Sequence, residues 1–139
     1  DGLVSLDDRV GGLLPEAEVL AGFPVRVEAD MRRAAERLAR LGATAVLMKG
    51  GHLEGERVVD LLFHEGRFER FDDVRIVSRN THGTGCTFAS AIAAHIARGK
   101  TVPDAIQTAK TYLTEAIRHS LAIGHGKGPT NHFYFLNQG

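Results

Sequence analysis

Asn80-Thr81-His82-Gly83-Thr84-Gly85-Cys86-Thr87 runs straight into Phe88-Ala89-Ser90-Ala91-Ile92-Ala93-Ala94-His95-Ile96-Ala97-Arg98, and Gly99 follows. The second stretch is dense in good helix formers and is closed by a glycine, so a helix is expected over 83–98. Gly83 and Gly85 tolerate backbone angles that other residues avoid, which lets the loop expose consecutive N–H groups. A glycine turn feeding a helix start gathers unpaired donors and the positive end of the helix dipole at one point. Such a point suits an anion, most often a phosphate. The one cysteine of the chain sits there too.

Upstream, Ala43-Thr44-Ala45-Val46-Leu47-Met48 is short and almost wholly apolar, the mark of a strand buried on both faces. It leads into Lys49-Gly50-Gly51-His52. Three further strands are expected at 56–63, 67–71 and 74–78, the first two joined by the hairpin-sized His64-Glu65-Gly66. Pro15-Glu16-Ala17-Glu18-Val19-Leu20 has proline in a helix first turn and acids near the positive end, and Gly22 ends it. From Glu28 to Leu41, Met31, Ala34, Ala35, Leu38 and Leu41 recur at the spacing of one helical face, with Gly42 as the cap. A last helix is expected from Val102 or Pro103 to about Ile123, with Ala105, Ile106, Ala109, Tyr112, Leu113, Ala116 and Ile117 on one side. Asp1-Gly2-Leu3-Val4-Ser5-Leu6 reads equally as loop or as a short extended piece. This order of elements implies an α/β fold, a mostly parallel sheet flanked by helices with an antiparallel edge hairpin. Ligands of such sheets collect at the carboxyl ends of strands. Lys49 and the Asn80 loop are therefore expected to face one crevice.

With 139 residues the chain is long enough for one domain with a real core. Its 17 basic and 17 acidic residues balance, so charge gives no reason to expect a nucleic-acid partner. No apolar run approaches the roughly 20 residues that span a bilayer, and no charged-then-apolar leader precedes Leu3; neither membrane nor export is expected. A single cysteine forms no internal disulfide, which agrees with a reducing, cytoplasmic setting. The seven histidines show no paired ligand spacing with that cysteine, so zinc is not expected.

Three ordered motifs carry a family resemblance: Val46-Leu47-Met48-Lys49-Gly50-Gly51-His52, Asn80-Thr81-His82-Gly83-Thr84-Gly85-Cys86-Thr87 and Gly124-His125-Gly126-Lys127-Gly128-Pro129. Over most of residues 14–136 the chain resembles the C-terminal half of ribokinase-superfamily small-molecule kinases. The match is best with the hydroxymethylpyrimidine/phosphomethylpyrimidine kinases of thiamine biosynthesis. A cysteine at the position of Cys86, where most of the superfamily has aspartate, is typical of these and of a related set of pyridoxal kinases. The resemblance implies that residues 1–139 form the ATP-phosphate-binding half of a ribokinase-like domain, hence an incomplete domain. It further implies ATP and Mg2+ as cofactors and a small-molecule pyrimidine substrate; the pyrimidine kinases are commonly homodimers, and the hairpin near 56–71 reads equally as covering a sheet edge or as pairing with another subunit. Family chains usually carry Thr-Pro-Asn where this sequence has Gly11-Gly12-Leu13, and the strand that normally enters this segment is expected to be absent. Pyridoxal kinase activity, or a catalytically silent nucleotide-binding fragment, are the alternatives.

The activity implied is transfer of the ATP γ-phosphoryl to a hydroxymethyl group and then to the resulting monophosphate, a reaction run by positioning and charge neutralisation. The N–H groups of Gly83, Thr84, Gly85 and Cys86 are expected to hold the moving phosphoryl as an anion hole. From the local motif alone, a plain helix cap fits equally well. Cys86 is the expected general base, since a helix start favours thiolate character; a small packed cysteine is the plainer alternative. Lys49 leaves a buried strand into two glycines, where a lysine reaches phosphate as a flexible point charge. Thr81, Val102 and Lys110 are placed by the resemblance in the nucleotide cleft, although Lys110 also reads as a surface helix residue. Glu16 aligns with the family acid that orients magnesium through water, and equally with a first-turn glutamate on the helix dipole. A Cys86/His82 nucleophile pair lacks an evident orienting acid.

Overall fold

A computed structural model of the protein describes residues 3–6, 15–50, 57–74, 83–120 and 128–137. They belong to two compact units, Asp1–Arg75 and Ile76–Gly139.

The first unit holds a sheet of β1 (Leu3–Leu6), β2 (Ala45–Lys49), β3 (Arg57–His64) and β4 (Arg67–Val74), in that spatial order. β1 lies parallel to β2, while β2 with β3 and β3 with β4 are antiparallel. A mostly parallel sheet was the expectation from sequence, and among the described residues it is corrected: two of the three pairings are antiparallel. Connection length is the reason. Residues 50–56 alone separate β2 from β3, and a parallel return takes about a dozen residues or more. Leu3–Leu6 resolves the loop-or-extended alternative as a strand, and so supplies a strand ahead of Gly11 that the sequence did not reveal.

Glu65 and Gly66 alone join β3 to β4, with φ of 51° and 74°. Two positive-φ central residues make the type I′ turn whose twist matches that of the flanking strands. Asp60 pairs with Phe71 and Arg57 with Val74, so β4 continues to the last residue β3 can pair. Val74 therefore belongs to β4 rather than opening a separate strand; the rest of the expected 74–78 strand lies outside the described residues.

Two helices, α1 (Pro15–Ala21) and α2 (Glu28–Arg40), complete this unit. The Asp30 carboxylate accepts the N–H groups of Arg26 and Val27 at 3.1 and 3.3 Å, which fixes the entry to α2. Met31, Ala34, Ala35 and Leu38 of α2 pack with Ala17, Ala21 and Val25 onto Val46, Met48 and Leu61 of the sheet. β2 is buried from Ala45 to Met48, as its unbroken apolar run requires. β4, the last strand of the described sheet, intersperses charged residues with Phe68 and Phe71.

The second unit holds α3 (Thr84–Ala97), α4 (Val102–Arg118) and a 3-10 turn, Tyr134–Asn137. Phe88 and Ile92 of α3 and Ala105, Ile106, Ala109 and Ala116 of α4 are its buried apolar residues. Thr101 caps α4 by accepting the Asp104 N–H at 3.3 Å. Helix α4 ends five residues short of the expected Ile123 (123 − 118). The Ala116 carbonyl there accepts the Asn131 N–H at 3.0 Å, and the Ser120 N–H turns to Ile117 at 3.1 Å. A tertiary donor thus replaces the next helical one. No helix among the described residues is long and apolar enough to cross a membrane.

Candidate functional site

Gly83 caps α3 in the left-handed region at φ 79°. A Cβ there would meet open space, so the glycine is required by its backbone angle rather than by crowding. The Thr87 N–H makes the first intrahelical bond, to the Gly83 carbonyl at 2.9 Å. Helix geometry therefore leaves the N–H groups of Gly83, Thr84, Gly85 and Cys86 ahead of the helical ladder. Four donors and the positive dipole end meet where the loop was expected to bind an anion.

Cys86 is a free, exposed thiol, not a small packed hydrophobe. It lies at one end of a concavity of 530 Å³ lined by Cys86, Thr87, Ser90, Ala91, Ala94, His95, Tyr112 and His132. Residues four apart share a helical face, so Cys86, Ser90 and Ala94 form one stripe down α3, with Thr87, Ala91 and His95 beside it. Tyr112 and His132 make the other wall, their rings stacked with centroids 6.3 Å apart. The Tyr112 hydroxyl lies 3.1 Å from Nδ1 of His132, and Nε2 of His132 lies 3.3 Å from the Thr130 hydroxyl. Burial, and then the neighbouring Tyr134, push the Tyr112 phenol above its ordinary value.

In the first unit, half-buried Lys49 ends β2, and the next N–H, that of Gly50, donates to Oδ1 of Asp60 at 3.2 Å. Val102 is the half-buried first residue of α4. Lys110, offered by the sequence as a surface residue or a cleft residue, is buried on α4 at 7 % exposure and has a partner there. Glu16 lies in α1, though its side chain is outside the described residues, as are Thr81, His82, Leu13 and the Asn80 end of the crevice expected with Lys49. The structure thus gathers Gly83, Thr84, Gly85 and Cys86 at one helix end, with Val102 and Lys110 in the same unit. Among the described residues no three His, Cys, Asp or Glu side chains form a metal cage. A magnesium carried mainly by nucleotide phosphates and water needs only one or two carboxylates and so does not require such a cage.

Among the lining residues that the sequence did not single out for chemistry, Ser90, Tyr112 and His132 carry polar groups. Ser90 carries a signal, being one helical turn beyond Cys86 on the same face. Tyr112 fits the apolar face of α4, and nothing local ties it to His132, twenty residues on.

A family model described as phosphomethylpyrimidine kinase matches residues 8–131. The thiamine biosynthesis bifunctional protein ThiED of Geobacter sulfurreducens is 55% identical over 119 residues, 86% of this chain and 24% of that protein. The hydroxymethylpyrimidine/phosphomethylpyrimidine kinase of Bacillus subtilis is 43% identical over 123 residues, 88% of this chain and 45% of that protein. Among solved structures, an ADP complex of Bacillus subtilis pyridoxal kinase aligns with a TM-score of 0.80 at 36% identity, covering 88% of this chain and 47% of the other. The phosphomethylpyrimidine kinase of Clostridium difficile aligns with a TM-score of 0.61 at 39% identity, covering 74% and 40%. The chain spans about half the length of the curated kinases it matches, and about a quarter of the bifunctional protein.

Proposed function

The chain belongs to the phosphomethylpyrimidine kinase family, and from that premise we propose that it supplies the ATP-phosphate half of an enzyme that phosphorylates hydroxymethylpyrimidine and then its monophosphate. The single observation that carries this is the start of α3: a left-handed Gly83 cap, unladdered N–H groups through Cys86, and an exposed thiol on the third helical residue. In the first step the acceptor hydroxyl oxygen bonds to the γ-phosphorus as the bond to the ADP oxygen breaks. The acceptor proton passes to Sγ of Cys86, and the amides of Gly83, Thr84, Gly85 and Cys86 hold the charge spread over the moving phosphoryl. In the second step the acceptor is a phosphate already ionised, which needs no base: its oxygen bonds to the γ-phosphorus of a second ATP as the bond to the ADP oxygen breaks. Lys49 reaches the nucleotide phosphates, with Thr81, Val102 and Lys110 lining the nucleotide cleft. Magnesium, when bound, neutralises phosphate charge, and Glu16 orients its water shell.

Pyridoxal phosphorylation is a second reading because solved pyridoxal kinases align closely, at 30–36% identity. The pyrimidine reading is favoured by the curated hydroxymethylpyrimidine/phosphomethylpyrimidine kinases, at 35–46%, and by the bifunctional thiamine biosynthesis protein at 55%. Titration calorimetry with ATP and Mg2+, followed by turnover on hydroxymethylpyrimidine, its monophosphate and pyridoxal, tests both. Pyrimidine turnover dependent on Cys86 is the expected result. Nucleotide binding with no transfer to any acceptor would leave a silent nucleotide-binding piece and overturn the proposal.

A further inference from the structure

Asp60 sits in the middle of β3 at 3 % exposure, the one buried carboxylate among the described residues. A carboxylate withdrawn from water is costly unless its oxygens are bonded. One oxygen, Oδ1, accepts the Gly50 N–H at 3.2 Å, a buried bond from the middle of β3 to the chain just leaving β2. In the antiparallel register Asp60 stands directly opposite Lys49. Opposite residues project from the same face of a sheet with adjacent Cβ atoms, so the acid and the base share one surface. A neutral acceptor such as Asn or Thr would serve the Gly50 N–H, whereas the carboxylate, which has a further partner, also brings a negative charge to the face it shares with Lys49. A buried charge at this point fixes the backbone more firmly and places a negative group beside the lysine.

We propose that Asp60 is the positioning residue of the nucleotide-phosphate site: it holds the Lys49–Gly50 exit of β2 so that the Lys49 ammonium is presented to the phosphates of ATP. This rests on the assignment of Lys49 as a phosphate contact made above. Asp60 itself touches no substrate, and its effect runs through Lys49 alone.

The test is calorimetric titration of ATP with Mg2+ into the wild-type chain and the K49A, D60N, D60A and K49A/D60N variants, with melting curves on each. K49A is expected to weaken ATP at least about tenfold, the loss of one charge-assisted bond. D60N keeps an acceptor for Gly50 and removes the charge, and is expected to weaken ATP about fivefold. D60A removes both and is expected to weaken ATP as much as K49A. The deciding measurement is the double variant, because a residue acting through Lys49 adds nothing once Lys49 is gone. An Asp60 that merely stabilises the sheet would lower the melting temperature and leave the Kd of the folded protein alone. That outcome, or an unchanged Kd in D60N beside a weakened K49A, overturns the proposal and leaves the nucleotide reading standing. Should D60A fail to fold, the near-isosteric D60N decides. Absence of ATP binding by the wild-type chain overturns the nucleotide reading, and this proposal with it.

Discussion

Tyr112 of α4 and His132, twenty residues further along the chain, meet through a 3.1 Å contact between the phenol oxygen and Nδ1. The same hydroxyl donates to the His132 carbonyl at 3.4 Å, and Asn131 is tied to the Ala116 carbonyl one helical turn along α4. Tyr134 adds a stack on His119 with centroids 5.5 Å apart. Residues 130–134 are therefore fastened to α4 by backbone and ring contacts together. The wall that faces Cys86 depends on that fastening.

Y112F deletes the hydroxyl and keeps the ring. It should cost about 1 kcal/mol, the worth of an ordinary hydrogen bond, and speed exchange of the Asn131 amide. Wild type and Y112F should also differ in alkali. The raised phenol pKa means the folded chain prefers neutral Tyr112, so its contribution is intact below pH 10.0 and fades as pH rises through the folded value. Denaturation midpoints from pH 8 upward should fall more steeply for the wild type than for Y112F. Parallel slopes would remove Tyr112 as the cause.

Cys86→Ala should lower kcat for the first phosphorylation by about 10²-fold or more if the thiol serves as base. Cys86→Asp separates the two steps. A fixed carboxylate repels the ionised monophosphate and leaves the neutral alcohol unaffected, so the second phosphorylation should suffer more than the first. Equal losses in both steps would exclude this account of the cysteine.

Gly83→Ala forces a Cβ into φ 79° with no neighbour to strike. The cost is conformational, about 1–2 kcal/mol, and should appear as a lower unfolding free energy. If the cap also shapes an anion hole, ATP affinity of the folded variant should drop as well. Full ATP affinity at reduced stability would reduce Gly83 to a plain helix cap.

Glu65→Asn should stabilise the protein. Glu65 is the one described non-glycine residue at positive φ, 51°, in a turn that favours Asn-Gly. Relief of that strain is expected to raise unfolding free energy by about 0.5–1 kcal/mol with ATP binding unchanged. A neutral or destabilising result in urea titrations would mean the Glu65 side chain does more than occupy the turn.

Most element positions were legible because they follow from short-range rules. The alanine run after Gly85, the 28–41 stripe and the apolar 43–48 run declare helix, helix and strand by propensity and period. The left-handed Gly83 likewise agrees with a glycine expected at a helix start, whereas Gly85, expected in the loop, is the second residue of α3. Lys110 misled in part, since its position on α4 is locally no different from a solvated one, and only packing buries it. The end of α4 was misplaced because helix propensity takes no account of a donor arriving from Asn131.

By itself, then, the sequence determined most of the helices and strands and the glycine turn that opens α3, along with the family resemblance carried by three motifs. Strand direction, the Asp60–Gly50 bond and the Tyr112–His132 wall were decided only in three dimensions. Each of these joins residues whose local surroundings are compatible with other partners. Their pairing is selected by burial and by connection length, which act on the assembled chain and leave no trace in the spacing of neighbouring residues.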